Sequence, residues 1–148
     1  MKILPVFFSF LFLIVSSSSF ADKPMTVEEC GIYPVEGYYA EINSPEHERV
    51  IKPVLLLNRG SDSEVRVYLL NTNLDKLIPR SHLGAKFKIN LEFVSQCLYR
   101  CEGRIVKVIA PLDPFEEAKH FTTANSSMRI GPKTPCKTST IPLQSSAL

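Results

Sequence analysis

From Ala85 to Phe93 the chain reads Ala-Lys-Phe-Lys-Ile-Asn-Leu-Glu-Phe, apolar at every odd position and polar at every even one. Successive side chains of an extended strand point to opposite faces, so this stretch is expected to be a strand with one dry and one wet face. Glu64 to Leu70 repeats the pattern, with Val65, Val67 and Leu69 inward, and Tyr38, Ala40 and Ile42 give a weaker version of the same inward row. Val54 to Leu57 is a continuous apolar run, expected to be buried on both sides or to sit at a barrel corner. Ile105, Val106, Val108 and Ile109 form a further β-branched run. Five strands are therefore expected, at roughly 37–43, 53–58, 64–70, 84–95 and 103–110.

The connections agree with that reading. Asn58-Arg59-Gly60-Ser61-Asp62-Ser63 is rich in turn formers and joins two strand-like runs as a hairpin. Residues 72–83 contain Asn73, Asp75 and Pro79 and leave room for at most one short helical turn before Pro79. Asp113 to Phe121 predicts a short helix, with Asp113 as N-cap, Pro114 in the first turn, and Glu116 and Glu117 at the positive helix start. Phe115 and Phe121 are expected to pin it to the body. From residue 122 onward there are ten Ser or Thr, three Pro and few large apolar groups, which predicts an irregular tail tied down near Cys136.

The fold class expected is thus mostly β. Five strands with a long connection between the third and fourth suit a small five-stranded barrel, closed or partly open. It resembles the oligonucleotide/oligosaccharide-binding (OB) architecture, with a small sandwich as the alternative. Ligands of such barrels sit on the outer face of the second and third strands, flanked by two loops. Here that places Arg66 and Tyr68 on the wet face, His47 and Arg49 in one flanking loop, and Tyr99 and Arg100 in the other. Arg with aromatic side chains is a composition suited to recognition. The bland alternative is that these are ordinary exposed residues.

Residues 1–21 carry Lys2, an apolar run from Ile3 to Val15, and small residues Ser19 and Ala21 before Asp22, the layout of a cleaved secretory signal. The apolar run is shorter than the roughly 20 residues that span a bilayer. The expectation is export, to a periplasm or the outside, with a body over 22–121 and a basic tail over 122–148. Four cysteines in an exported chain suggest two disulfides. Cys97 and Cys101 flank a three-residue loop between the last two strands, which favours joining them to each other and leaves Cys30 with Cys136 to staple both ends.

Chemistry is harder to find. Pro45-Glu46-His47-Glu48-Arg49 begins like a helical zinc-protease motif, but position 51 is Ile rather than the second His. His82 and His120 have no metal-type partners nearby in sequence, the six glycines form no phosphate-cradling cluster, and Gly-x-Ser-x-Gly is missing. No metal or cofactor is expected. Asn125-Ser126-Ser127 matches a glycosylation sequon. With 17 basic and 15 acidic residues, the chain lacks the cation excess of a general nucleic-acid binder. Arg129, Lys133 and Lys137, with no acid after residue 121, make the tail basic, and it reads as a solvated segment. The leading expectation is an exported, non-enzymatic binding module for a protein, an inhibitor target or a glycan. The alternative is a small exported hydrolase whose dispersed active site uses His47, His82 or His120.

Overall fold

The computed structural model describes residues 26–27, 29–121, 123–124 and 126–141. The expected signal segment over 1–21 and the sequon residue Asn125 lie outside the described residues. The strands are β1 (Thr26–Val27), β2 (Cys30–Asn43), β3 (Ile51–Leu57), β4 (Val65–Leu69), β5 (Lys86–Phe93), β6 (Arg100–Pro111), β7 (Thr123–Ala124) and β8 (Ile130–Thr134). One short helix, α1 (Leu74–Leu77), and a 3-10 turn over Arg80–His82 fill the long connection before β5. Mostly β is therefore the fold class, as the alternation requires.

The main sheet has six strands in the order β3-β4-β6-β5-β2-β8, and β3 also pairs with β2. That extra pairing closes β2, β3, β4, β6 and β5 into a ring of five. All neighbours in the ring are antiparallel except β4 and β6, which run parallel. β2 makes closure possible because it is twice as long as β3: its first part pairs with β5 from Gly31 to Tyr38, its second with β3 from Tyr38 to Asn43. Gly37 sits at the changeover. A Cβ there would come within 2.8 Å of Leu55 Cγ and 2.9 Å of Leu57 Cδ2, so the absence of a side chain lets β2 bend over the core.

The ring interior is filled by Tyr33, Tyr39, Leu55, Leu57, Val65, Val67, Ile89, Leu91 and Phe93, each essentially without solvent exposure. Phe93 stacks on Phe121 at 5.9 Å between centroids and meets Tyr33 edge-on at 5.8 Å. The expected inward row of Tyr38, Ala40 and Ile42 is one residue out of register. Tyr39 faces inward at 1% exposure, and burial is the main force raising its phenol above the usual range. A slip of one residue exchanges the two faces of a strand, so Tyr38 belongs to the outside. The strand itself starts seven residues earlier than expected, at Cys30.

The helix expected over 113–121 is not formed. Asp113 accepts a hydrogen bond from the Phe115 N–H at 2.8 Å and closes a single turn. Beyond it, helix-forming donors are taken by side chains from elsewhere: the Lys119 N–H donates to Glu36 Oε2 and the Phe121 N–H to Asn58 Oδ1. The segment is drawn out along the body, with Phe121 buried and Phe115 almost fully exposed. Asn58, at φ 52°, also donates from Nδ2 to the Phe121 carbonyl at 2.8 Å, so one buried amide replaces a strand partner. Asn58→Ala leaves a buried N–H and C=O unpaired and should cost about 2 kcal/mol or more. Asn58→Asp, which keeps the acceptor, should cost less; equal losses by urea unfolding would contradict this account.

The tail is not simply irregular. β8 pairs with β2 at Cys30 and Ile32. Two of its cations are not free surface charge either: Arg129 and Lys133 both bond the Glu29 carboxylate, the latter at 3.1 Å. Those hydrogen bonds, from Lys133 first and then Arg129, hold the Glu29 carboxyl below its usual value. A depressed carboxyl stabilises the fold above the ordinary carboxylate range and loses that contribution as pH falls through the lowered value. Acidification below about pH 4 should therefore loosen β8 before the ring, seen as faster amide exchange over 130–134; uniform exchange across both would contradict it.

Both expected disulfides are present, Cys30–Cys136 and Cys97–Cys101, and no cysteine is free. Such pairing suits an oxidising compartment. No helix among the described residues is long and apolar enough to cross a membrane.

Candidate functional site

Register defines the outer face. Across the ring, Lys86 pairs with Tyr38, Tyr38 with Leu56, Leu56 with Arg66, and Arg66 with Arg100. Directly paired residues share a face. These five therefore form one row that winds around the outside of the closed ring, about 19 Å along its circumference at the usual strand spacing. Arg59, from the β3–β4 turn, lies over the Tyr38 ring at 4.7 Å. At the other end the loop between β5 and β6 presents Leu98 and Tyr99, each about half exposed.

That loop is held firmly. The Cys97–Cys101 disulfide closes it with Cα atoms 4.7 Å apart. The Arg100 N–H bonds the Leu98 carbonyl at 2.8 Å, and the Arg66 N–H bonds the Tyr99 carbonyl at 2.9 Å. Tyr99 has φ 64°, a left-handed conformation that is costly for a bulky residue. The disulfide and the Arg66 backbone contact together maintain it, and they leave Tyr99 about half exposed on the loop before Arg100, against the Arg66 strand. Arg66 leans toward Glu64 at 3.7 Å and keeps 43% of its side chain exposed.

Of the six residues singled out in sequence, Arg66, Tyr99 and Arg100 are thus brought together. His47 and Arg49 are not. They lie in the exposed loop before Ile51, whereas Arg66 faces Leu56, five residues or about 16 Å further along β3. Tyr68 is a correction: it is only 4% exposed rather than on a wet face. Its row runs Ala40, Val54, Tyr68, Glu102, and Val54 and Glu102 are buried as well. The chain after β8 returns to this row. Lys137 donates its N–H to the Val94 carbonyl at 2.8 Å, and Thr140 Oγ1 donates to Glu102 beside Tyr68. The same segment and Arg100 line a cleft of about 660 Å³ with Gln96, Leu98 and Cys136.

Sequence reasoning missed Tyr38, Leu56, Arg59 and Lys86 because it placed Tyr38 inside. One signal pointed the other way: Glu36 shares the parity of Tyr38, and Val35 that of Tyr39. His47, His82 and His120 are all exposed and come from three different connections; the closest side-chain partner of His82 is Ser81 Oγ at 3.4 Å. Among the described residues no group of His, Cys, Asp and Glu is arranged to hold a metal ion. No family model matches the chain, and comparison with curated proteins and with solved structures finds no significant match either.

Proposed function

We propose that this chain is an exported, non-enzymatic binding module, built on an OB-type five-stranded barrel, that recognises an anionic partner through the outer row of its ring. The observation that carries the reading is the register row of Lys86, Tyr38, Leu56, Arg66 and Arg100, with Arg59 and Tyr99 added from two turns. The partner is a glycan or protein surface bearing carboxylate or sulfate groups. Arg presents a planar fork of donors that fits such groups, and Tyr offers a flat apolar face with little entropy to lose. The row crosses the second and third ring strands and ends at the loop between the fourth and fifth, the region where OB-type barrels carry their ligands. Two disulfides suit a module working outside the cytoplasm.

The test is binding to arrays of sulfated, carboxylated and neutral glycans and of acidic protein domains. The wild-type protein should retain anionic members and weaken with salt. The combined Arg66→Ala, Tyr99→Ala and Arg100→Ala variant should lose about 100-fold in affinity, as expected when a central Arg/Tyr cluster is removed. Undiminished binding by that variant would reject the row as the site.

A further inference from the structure

Lys86 is 95% buried as a residue, keeping 5% exposure. No carboxylate among the described residues lies within ion-pair distance of it. Its ammonium stands 5.8 Å from the centroid of Tyr38, and the Arg59 guanidinium stands 4.7 Å from the same centroid. Arg59 likewise has no carboxylate partner among the described residues. Two cations, one on an exposed turn residue and one on a buried strand residue, thus stand near one phenol with no carboxylate partner among the described residues.

Most of the Lys86 side chain is covered by the fold, so its ammonium keeps only part of its hydration, and an aromatic face is a partial substitute for the rest. Arg59 adds a second cation, on an exposed residue, over the same ring. An anion between them would pair both.

We infer that Tyr38, Arg59 and Lys86 form a subsite for a single oxyanion group, the carboxylate, sulfate or phosphate of a larger ligand. Its identity as one end of the ligand row rests on the function proposed above, whereas occupation by a small ion does not. Arg59, carried on the Asn58–Glu64 turn, closes over the anion from the solvent side. Lys86 meets it from the ring. The adjoining part of the row, Leu56 and Arg66 on the next two strands, then accommodates the rest of the ligand.

The probes are sodium sulfate, phosphate and acetate, titrated at constant ionic strength against sodium chloride into the full-length, isotopically labelled protein. The expected result is saturable NMR shifts at Tyr38, Arg59 and Lys86 with at least one of the three ions, at millimolar concentration. Stronger response to sulfate or phosphate identifies an ester-type group, and stronger response to acetate a carboxylate. Lys86→Met should abolish saturation, and Arg59→Gln should weaken binding about fivefold, the scale of one partly exposed charge contact. Lys86→Met should also leave the melting temperature in anion-free buffer unchanged or higher. The Arg66→Ala, Tyr99→Ala and Arg100→Ala variant should bind the small ions normally, so loss of the row and loss of the subsite are read separately. Linear shifts without saturation, identical titrations in Lys86→Met, or a lower melting temperature for that variant without anion would each overturn the subsite.

Discussion

Replacing Cys30 and Cys136 together by alanine should lower stability by about 5 kcal/mol in the chain-entropy picture of cross-links, against about 2 kcal/mol for Cys97 and Cys101. The difference follows from loop length: the first bridge joins residues 106 apart in sequence, the second residues only 4 apart. Cys30 opens β2 and is fully buried, so the bridge secures the chain end against the ring rather than against another loop. β8 has little else to hold it, with two register partners on β2 and the ion pairs to Glu29. Urea unfolding of the two double variants, compared at equal slopes, measures the gap. Equal losses would show that the long loop is already restrained in the unfolded chain. Loss of Cys97–Cys101 should register mainly at the row instead, by freeing Tyr99 from its left-handed conformation.

Gly37→Val should cost about 3 kcal/mol or more, at the upper end of what overpacked cores lose. The new side chain would meet Leu55 Cγ, Leu57 Cδ2 and the Leu56 carbonyl, the last at 3.0 Å, so backbone as well as side chains must give way. Position 37 is where β2 leaves β5 and takes up β3, and pushing those strands apart opens the ring. Binding should fall with it, because Tyr38 and Leu56 occupy adjacent strands across that seam. Gly60→Ala serves as the control: nothing lies near its missing Cβ, but its φ of 80° makes substitution mildly unfavourable through the backbone alone. Similar destabilisation at both positions, by thermal unfolding, would contradict a steric role for Gly37.

Much of the fold was legible because alternation is a local property. Val65, Val67, Ile89, Leu91 and Phe93 face inward as the period of two demands. The disulfide pairing followed from where two cysteines fall between strands and from having two others left over. Of the site, Arg66, Tyr99 and Arg100 were found together because one strand and one loop were read correctly.

What local pattern left open was decided by contacts distant in sequence. Tyr38 and Tyr39 are both tyrosines in an ambiguous alternation, and only pairing with Leu55 and Leu56 settles which one enters the core. Asp113 to Phe121 has the composition of a helix, yet Glu36 and Asn58 claim its backbone donors from 83 and 63 residues away. Tyr68 carries the sequence signature of a wet strand face and is nevertheless buried in a row to which the chain beyond β8 returns. The amino-acid order by itself therefore located the five ring strands, because alternation is set by neighbours along the chain, and it placed Cys97 opposite Cys101 for the same reason, leaving Cys30 for Cys136; β8 and the first half of β2 were set by pairing with distant strands. Which face is free for a ligand was decided only in the tertiary structure, because exposure depends on what the rest of the chain lays against a strand, and a strand's own period carries no record of that.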